Sequence, residues 1–415
     1  MVRSAALFVL AGLALAACGG HDKAGGTQVA GTRTITVAMR DGSPRLVSAY
    51  AAAVARTADA PTRLVPRTSW RAQESSPEAS TIADVRRGRI DFALVSARAL
   101  DTVGIEGFSP MLAPLAIDSL EAQRRVLESE LPRRALATVS RAGVVGVAVL
   151  PGPLRHPLGL TRPLLRPEDY AGALVGVRPS RLSKRTFEQL GARVVFAAGD
   201  DFAGFDGVEI DLTAAEAVRA DVGAESLAAD LTLWPRMLVV VGNPKAWERL
   251  GRARRDVLRE AGRAALGAAI AALRFDDDDA YGVLCRRGAM SFARTTPADA
   301  EAMRRALAPV TRRLDPAAVK QITRLRRAAG RAPLHPACRP LARAQAGKAT
   351  PVDGVWTFDS DEADLRAAGR ASVTPENWGH HVLVFSRGRF AITQEDREAC
   401  TWVYGTYSVH GHRMT

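Results

Sequence analysis

Guanidinium groups are the side chains of this sequence best suited to chemistry, because the planar fork of an arginine makes two-pronged bonds to a carboxylate. Lys+Arg number 57 against 44 Asp+Glu, a formal net charge of +13 at pH 7. Ser96 and Arg98 stand at the end of a nearly continuous apolar run, IDFALVS at 90–96. Ligands in open α/β sheets sit outside the carboxyl ends of strands, so both are candidate ligand contacts. Trp70, in a polar loop after the preceding strand, offers a face for stacking or a cap for a core. Asp206 and Glu209, in FDGVE at 205–209, invite an acid–base reading. The run Asp276 to Asp279 lacks the glycine and spaced ligands of a calcium loop and reads as a solvated face. His380, His381, His410 and His412 gather near the end without a third spaced metal ligand. There is no nucleophile elbow, HExxH helix, phosphate loop or Rossmann glycine set. The chain is read as a non-enzyme without cofactor or metal.

The remaining reactive group is a cysteine at the end of an apolar leader. MVRSAALFVLAGLALAACGG carries Arg3 as its only charge, an apolar run over 5–17 and small residues before Cys18. That is the form of a secretory signal peptide, too short to span a bilayer. Its Leu15-Ala16-Ala17-Cys18 ending resembles a lipobox, which implies a lipidated Cys18 at the outer face of a cell membrane. Residues 1–17 are assigned to the signal peptide and 18–32, Gly-rich and polar, to a flexible tether. An exported chain permits disulfides, and Cys285 with Cys338 is the expected pair, since both flank the helical end of the main body while Cys400 lies in a different tail. The basic charge has no aromatic interleaving and no nucleic-acid motif, so no nucleic-acid partner is expected. Anionic lipid beside the anchor, or anionic solutes, fit it better.

Strands and helices alternate from residue 32. Strands are expected at 32–39, 62–67, 90–96 and 143–150, with helices at 44–56, 81–87 and 119–140 between them. Prolines at 151, 153, 157, 163 and 167 mark a crossing segment. A second set follows, with strands at 173–179 and 192–197, helices at 183–190 and 214–220, and a return strand at 237–242. A long helical region spans 245–274. Thr296-Pro297 and Asp315-Pro316 start two closing helices. Two α/β sets joined by a crossing imply two lobes with a cleft, 33–150 with a return at 237–345 and 151–236. From 352 to 415 the texture turns aromatic and alternating, with Arg387-Gly388 as a hairpin turn. It reads as a small antiparallel β domain, lipocalin-like, a barrel or sheet that is either incomplete or completed by a partner.

Several pieces together resemble the solute-binding subunits of TRAP (tripartite ATP-independent periplasmic) transporters, the DctP family. They are VRRGRIDFALVS at 85–96, FSPMLAPLAI at 108–117, RPEDYAGALVGVRPSRLSKRTFEQLGARVV at 166–195, FDGVE at 205–209 and VVGNPKAWERL at 240–250. The resemblance covers about 34–315. It implies a type II periplasmic-binding-protein-like fold that closes on a small carboxylate solute and hands it to a TRAP-type membrane permease. The sequence departs from the pattern at two ligand positions. Gly176 falls where the family's carboxylate-binding arginine stands, with Arg178 two residues on and thus on the same strand face. Ile210 follows Glu209 where many members have an asparagine. Arg155 lies where members place a second ligand arginine, in a segment that borders the cleft. The expected ligand set is Arg155, Arg178, Trp70, Ser96 and Arg98. The alternative is a lipid-anchored sensor or interaction protein with a ligand-binding β tail and no transport role.

Overall fold

The protein is described by a computed structural model. It describes residues 32–415 apart from 41–43, 57–60, 72, 73, 75, 198–201, 203, 331–334, 336, 337, 339–349, 368–378, 387, 388, 396–399, 412 and 415. Cys18 and the leader lie outside the described residues. The chain forms two compact units, a main body over 28–341 and a tail over 342–415.

In chain order the body is β1 (Arg33–Ala38), α1 (Pro44–Ala55), β2 (Thr62–Arg67), α2 (Pro77–Arg87), β3 (Phe92–Ser96), α3 (Leu120–Glu128), α4 (Leu131–Thr138), β4 (Val145–Leu150), β5 (Leu154–Gly159), β6 (Leu174–Val177), α5 (Arg181–Gln189), β7 (Arg193–Phe196), β8 (Gly207–Ile210), α6 (Leu212–Ala217), β9 (Ser226–Leu227), β10 (Trp234–Pro235), β11 (Leu238–Gly242), α7 (Pro244–Arg249), α8 (Gly251–Ala264), α9 (Leu266–Arg287), β12 (Ser291–Phe292), α10 (Pro297–Thr311) and α11 (Pro316–Ala329).

Two sheets result, one per lobe. The first has the order β2-β1-β3-β11-β4, with β1 parallel to β2 and β3 and β11 antiparallel to both neighbours. β3 and β11 lie inside it and every residue of each is buried, which is why both read as apolar runs. The second has the order β12-β9-β5-β8-β6-β7, with β10 also on β5. On α1, Leu46, Tyr50, Ala53 and Val54 recur at helical spacing and face the first core. Thr296 and Asp315 cap α10 and α11 through their side chains, each ahead of a proline at the first helical position.

Three expectations change. The helix expected over 119–140 is two helices, α3 and α4, with Pro132 in the first turn of the second. The proline-marked crossing contains β5, whose six residues are all buried between β8 and β9. The return segment 237–345 does not belong to lobe 1 throughout. α9 has 22 residues, about 33 Å at 1.5 Å per residue. It packs on α1 and α3 of one lobe and on α6 of the other. It thereby carries the chain across, so β12 joins the second sheet and α10 packs on α5, before α11 returns to α3. Cys285 on α9 and Cys338 form a disulfide.

The tail is an antiparallel meander of β13 (Gly354–Ser360), β14 (Gly379–Ser386), β15 (Arg389–Glu395) and β16 (Cys400–Thr406), with α12 (Glu362–Ala367) after β13 and a short pair, β17 (Val409–His410) and β18 (Arg413–Met414). Ser386 pairs with Arg389, a register that leaves two residues for the turn; that turn, Arg387-Gly388, lies outside the described residues. Among the described strands the sheet is open, from β13 to β16. His381 bonds Ser360 Oγ at 2.7 Å and stacks on Phe358.

Candidate functional site

The two lobes meet at the carboxyl ends of β3 and β6. β3 ends at Ser96 and runs into a 3-10 turn over Ala97–Val103, which carries Arg98 and Asp101. β6 ends before Arg178, Pro179 and the Ser180 cap of α5. Arg98 is buried, donating to Glu78 Oε2 at 2.7 Å within its own lobe and to the Pro179 carbonyl at 3.1 Å across the gap. Burial pushes the guanidinium's pKa down, and the Glu78 charge opposes that shift. Glu78 also accepts the Ser96 backbone N–H at 2.8 Å, so one carboxylate in the first turn of α2 ties together the end of β3 and Arg98.

Asp101 makes the second crossing. Its buried carboxylate accepts from Ser180 Oγ at 2.6 Å and from the backbone N–H groups of Arg181 at 2.9 Å and Leu182 at 3.0 Å. A lobe 1 carboxylate thus satisfies the first turn of a lobe 2 helix, where unpaired N–H groups and the helix dipole favour negative charge. Between these crossings lies a cavity of about 10 Å³ bounded by Arg40, Glu78, Arg98, Arg178 and Pro179. That is room for about one water. The lobes are closed here, and a solute enters only if they part. Asp101→Ala is expected to favour the parted form, seen as a longer distance between spin labels on the two lobes; an unchanged distance distribution would remove Asp101 as a latch.

Of the five expected ligand residues, the structure brings Arg98 and Arg178 to this cavity. Arg178 Nη1 lies 3.5 Å from the Ala197 carbonyl. Ser96, whose backbone N–H bonds Glu78, is 1% exposed, its Oγ without a hydrogen-bond partner among the described residues. Trp70 is held elsewhere. Its Nε1 donates to Asp84 at 3.3 Å, the Arg67 guanidinium sits 4.3 Å over its ring, and it packs on the lobe 1 core. Arg155 also departs from expectation. It is 7% exposed and bonded to the Glu209 carboxylate, to Asp211 at 2.7 Å and to the Glu209 carbonyl. Burial alone would lower its pKa; the Glu209 and Asp211 charges reverse the sign and hold it above the ordinary value. All of its guanidinium nitrogens are engaged by β8 and the start of α6, because the segment read as a crossing is a core strand.

The departure at Gly176 has a packing counterpart. A Cβ there would meet Val208 at 3.2 Å and Phe205 at 3.3 Å, so side chains of β8 and the loop before it crowd that position. Ile210 is likewise core, 3% exposed. Asp206 is structural, accepting from the Leu174 N–H at 2.8 Å and Thr161 Oγ1 at 2.9 Å, and these bonds lower its pKa. Sequence reasoning missed Arg40, Glu78 and Asp101. An acidic residue one turn inside a Pro-started helix was the available signal for Glu78; nothing local marked the other two.

Residues 72–202 match the model of the bacterial extracellular solute-binding proteins, family 7 (DctP). No curated protein sequence matches the chain. Among solved structures, a TRAP periplasmic solute-binding protein from Shewanella oneidensis with bound succinate is 14% identical, with a TM-score of 0.62 over 71% of this chain and 99% of its own. The sugar acid binding protein DctPAm from Advenella mimigardefordensis, in complex with galactonate, is 16% identical, with a TM-score of 0.62 over 72% and 99%. A TRAP periplasmic solute-binding protein from Ralstonia eutropha with bound (S)-2-acetolactate is 20% identical, with a TM-score of 0.56 over 72% and 97%. The main body therefore has the two-lobed fold of these proteins, and the tail lies beyond it.

Proposed function

We propose, for a body with the TRAP solute-binding fold and a family 7 segment over 72–202, that this chain captures a small organic anion between its lobes and delivers it to a TRAP-type permease. The observation that carries this reading is the convergence of Arg40 and Arg98 from one lobe and Arg178 from the other on one cavity, with Glu78 as the carboxylate among its described lining residues. A solute that touches both lobes favours the closed state by its differential affinity. The similar structures hold succinate, galactonate and acetolactate, all organic acids. Cys18 as lipid anchor at the outer face of the membrane belongs to the same reading, as does the absence of catalysis.

Isothermal titration of the full chain with a panel of mono- and dicarboxylates tests it. One acid should bind, and Arg178→Ala should weaken it at least tenfold, since a hydrogen bond to a charged group is worth about 1.5–3 kcal/mol. Binding at a hundred times Kd would add about 2.7 kcal/mol of stability. Failure of every organic acid to bind sinks the reading. The packed Gly176 position favours the alternative, a lipid-anchored sensor that keeps the two-lobed fold without transport.

A further inference from the structure

A second cavity, of about 480 Å³, shares no described lining residue with the cleft. It is lined from both lobes, by Asp118 and Ser119 at the start of α3 and by His156 on β5, with α9 forming a wall through Asp277 and Tyr281. Its size falls within the range of small-molecule sites, about 300–1,000 Å³.

Three of the residues that line it each carry an orphaned polar atom. His156 Nε2, Asp277 Oδ1 and Asp118 Oδ1 are buried and have no hydrogen-bond partner among the described residues. Buried polar atoms in folded proteins are normally satisfied, so three on residues of one cavity wall mark a missing partner. Their chemistry agrees. His156 is 2% exposed, and its Nδ1 lies 3.3 Å from the Leu231 carbonyl. A carbonyl only accepts, so Nδ1 carries the proton. Burial holds the imidazole below its ordinary pKa, which leaves Nε2 a bare acceptor. The two aspartate oxygens also only accept, while each residue's other oxygen is engaged, Asp277 Oδ2 with His335 and Asp118 Oδ2 with Arg326. Among its described lining residues are five carboxylates and two guanidiniums. Its missing partner therefore donates hydrogen bonds and bears positive charge.

We propose that this cavity is a second binding site, for a short organic cation with more than one N–H donor, an alkyl diamine being the simplest, held by His156 and the carboxylates of Asp118 and Asp277. The site does not rest on the organic-anion reading of the cleft. Titrating the full chain with 1,4-diaminobutane, with 1,4-butanediol as the uncharged match and succinate as the anionic one, separates them. The diamine should bind and the diol should bind at least tenfold more weakly. Asp277→Asn and His156→Phe should each weaken the diamine at least tenfold, while Arg178→Ala leaves it unchanged. Asp277, partly exposed, keeps the test open if His156→Phe fails to fold. The proposal is overturned if the diamine gives no binding at millimolar concentration, if the diol binds as well, or if Asp277→Asn leaves the affinity intact. Failure with the diamine alongside succinate binding would reject this site and leave the cleft reading standing.

Discussion

Arg155→Ala destabilises the main body by about 3–5 kcal/mol, the usual cost of removing one partner from a buried ion pair. The guanidinium is bonded to Glu209 and Asp211, and both carboxylates are almost fully buried. Without it two negative charges are left in a dry interior, and Asp211 loses a partner while still accepting from the Ala214 N–H to start α6. Denaturant unfolding of the variant measures the loss. A double-mutant cycle with Glu209→Gln assigns the share that belongs to the pair. A stability change within about 0.5 kcal/mol, the range of surface substitutions, accompanied by lost solute affinity, would return Arg155 to the ligand set.

Cys285→Ser lowers stability by about 4 kcal/mol under oxidising conditions, from the chain entropy of a loop spanning a sequence separation of 53. The bridge fastens Cys338 to the lobe-spanning helix α9, and His335, three residues before it, stacks on Tyr281 of that helix at 4.2 Å. Unfolding of the wild-type chain with and without reductant gives the same quantity independently. Equal midpoints in both conditions would show that the bridge contributes nothing. Loss of diamine binding on reduction would tie it to the second cavity, since His335 lines that wall.

Much of the lobe architecture was legible. β3 and β11 announced themselves as apolar runs because each is flanked by strands on both sides and covered on both faces. The starts of α10 and α11 were legible because a capping side chain followed by proline is local chemistry, settled within four residues. β5 was not. Pro151, Pro153 and Pro157 signal a break, and only the neighbours supplied by β8 and β9 turn that stretch into a strand. Misplacing β5 misplaced Arg155, since its partners lie 54 and 56 residues away.

The site divides along the same line. Ser96 and Arg98 were named from strand-end logic and Arg178 from the resemblance, and the structure sets Arg98 and Arg178 at the lobe junction. That Gly176 stands where the resemblance would put an arginine was a reading of the sequence. What crowds that position, Phe205 and Val208, was decided by the sheet. The latch from Asp101 to α5 joins residues about 80 apart, and the cavity around His156 draws on α3, β5 and α9. Hydrophobic period, caps and turn residues act over a few positions, so sequence alone determined which elements form and which lobe most of them enter. Charge pairing and cavity shape depend on which distant side chains share one low-dielectric space. Only the packed chain decided whether a given arginine faces a solute or a buried carboxylate.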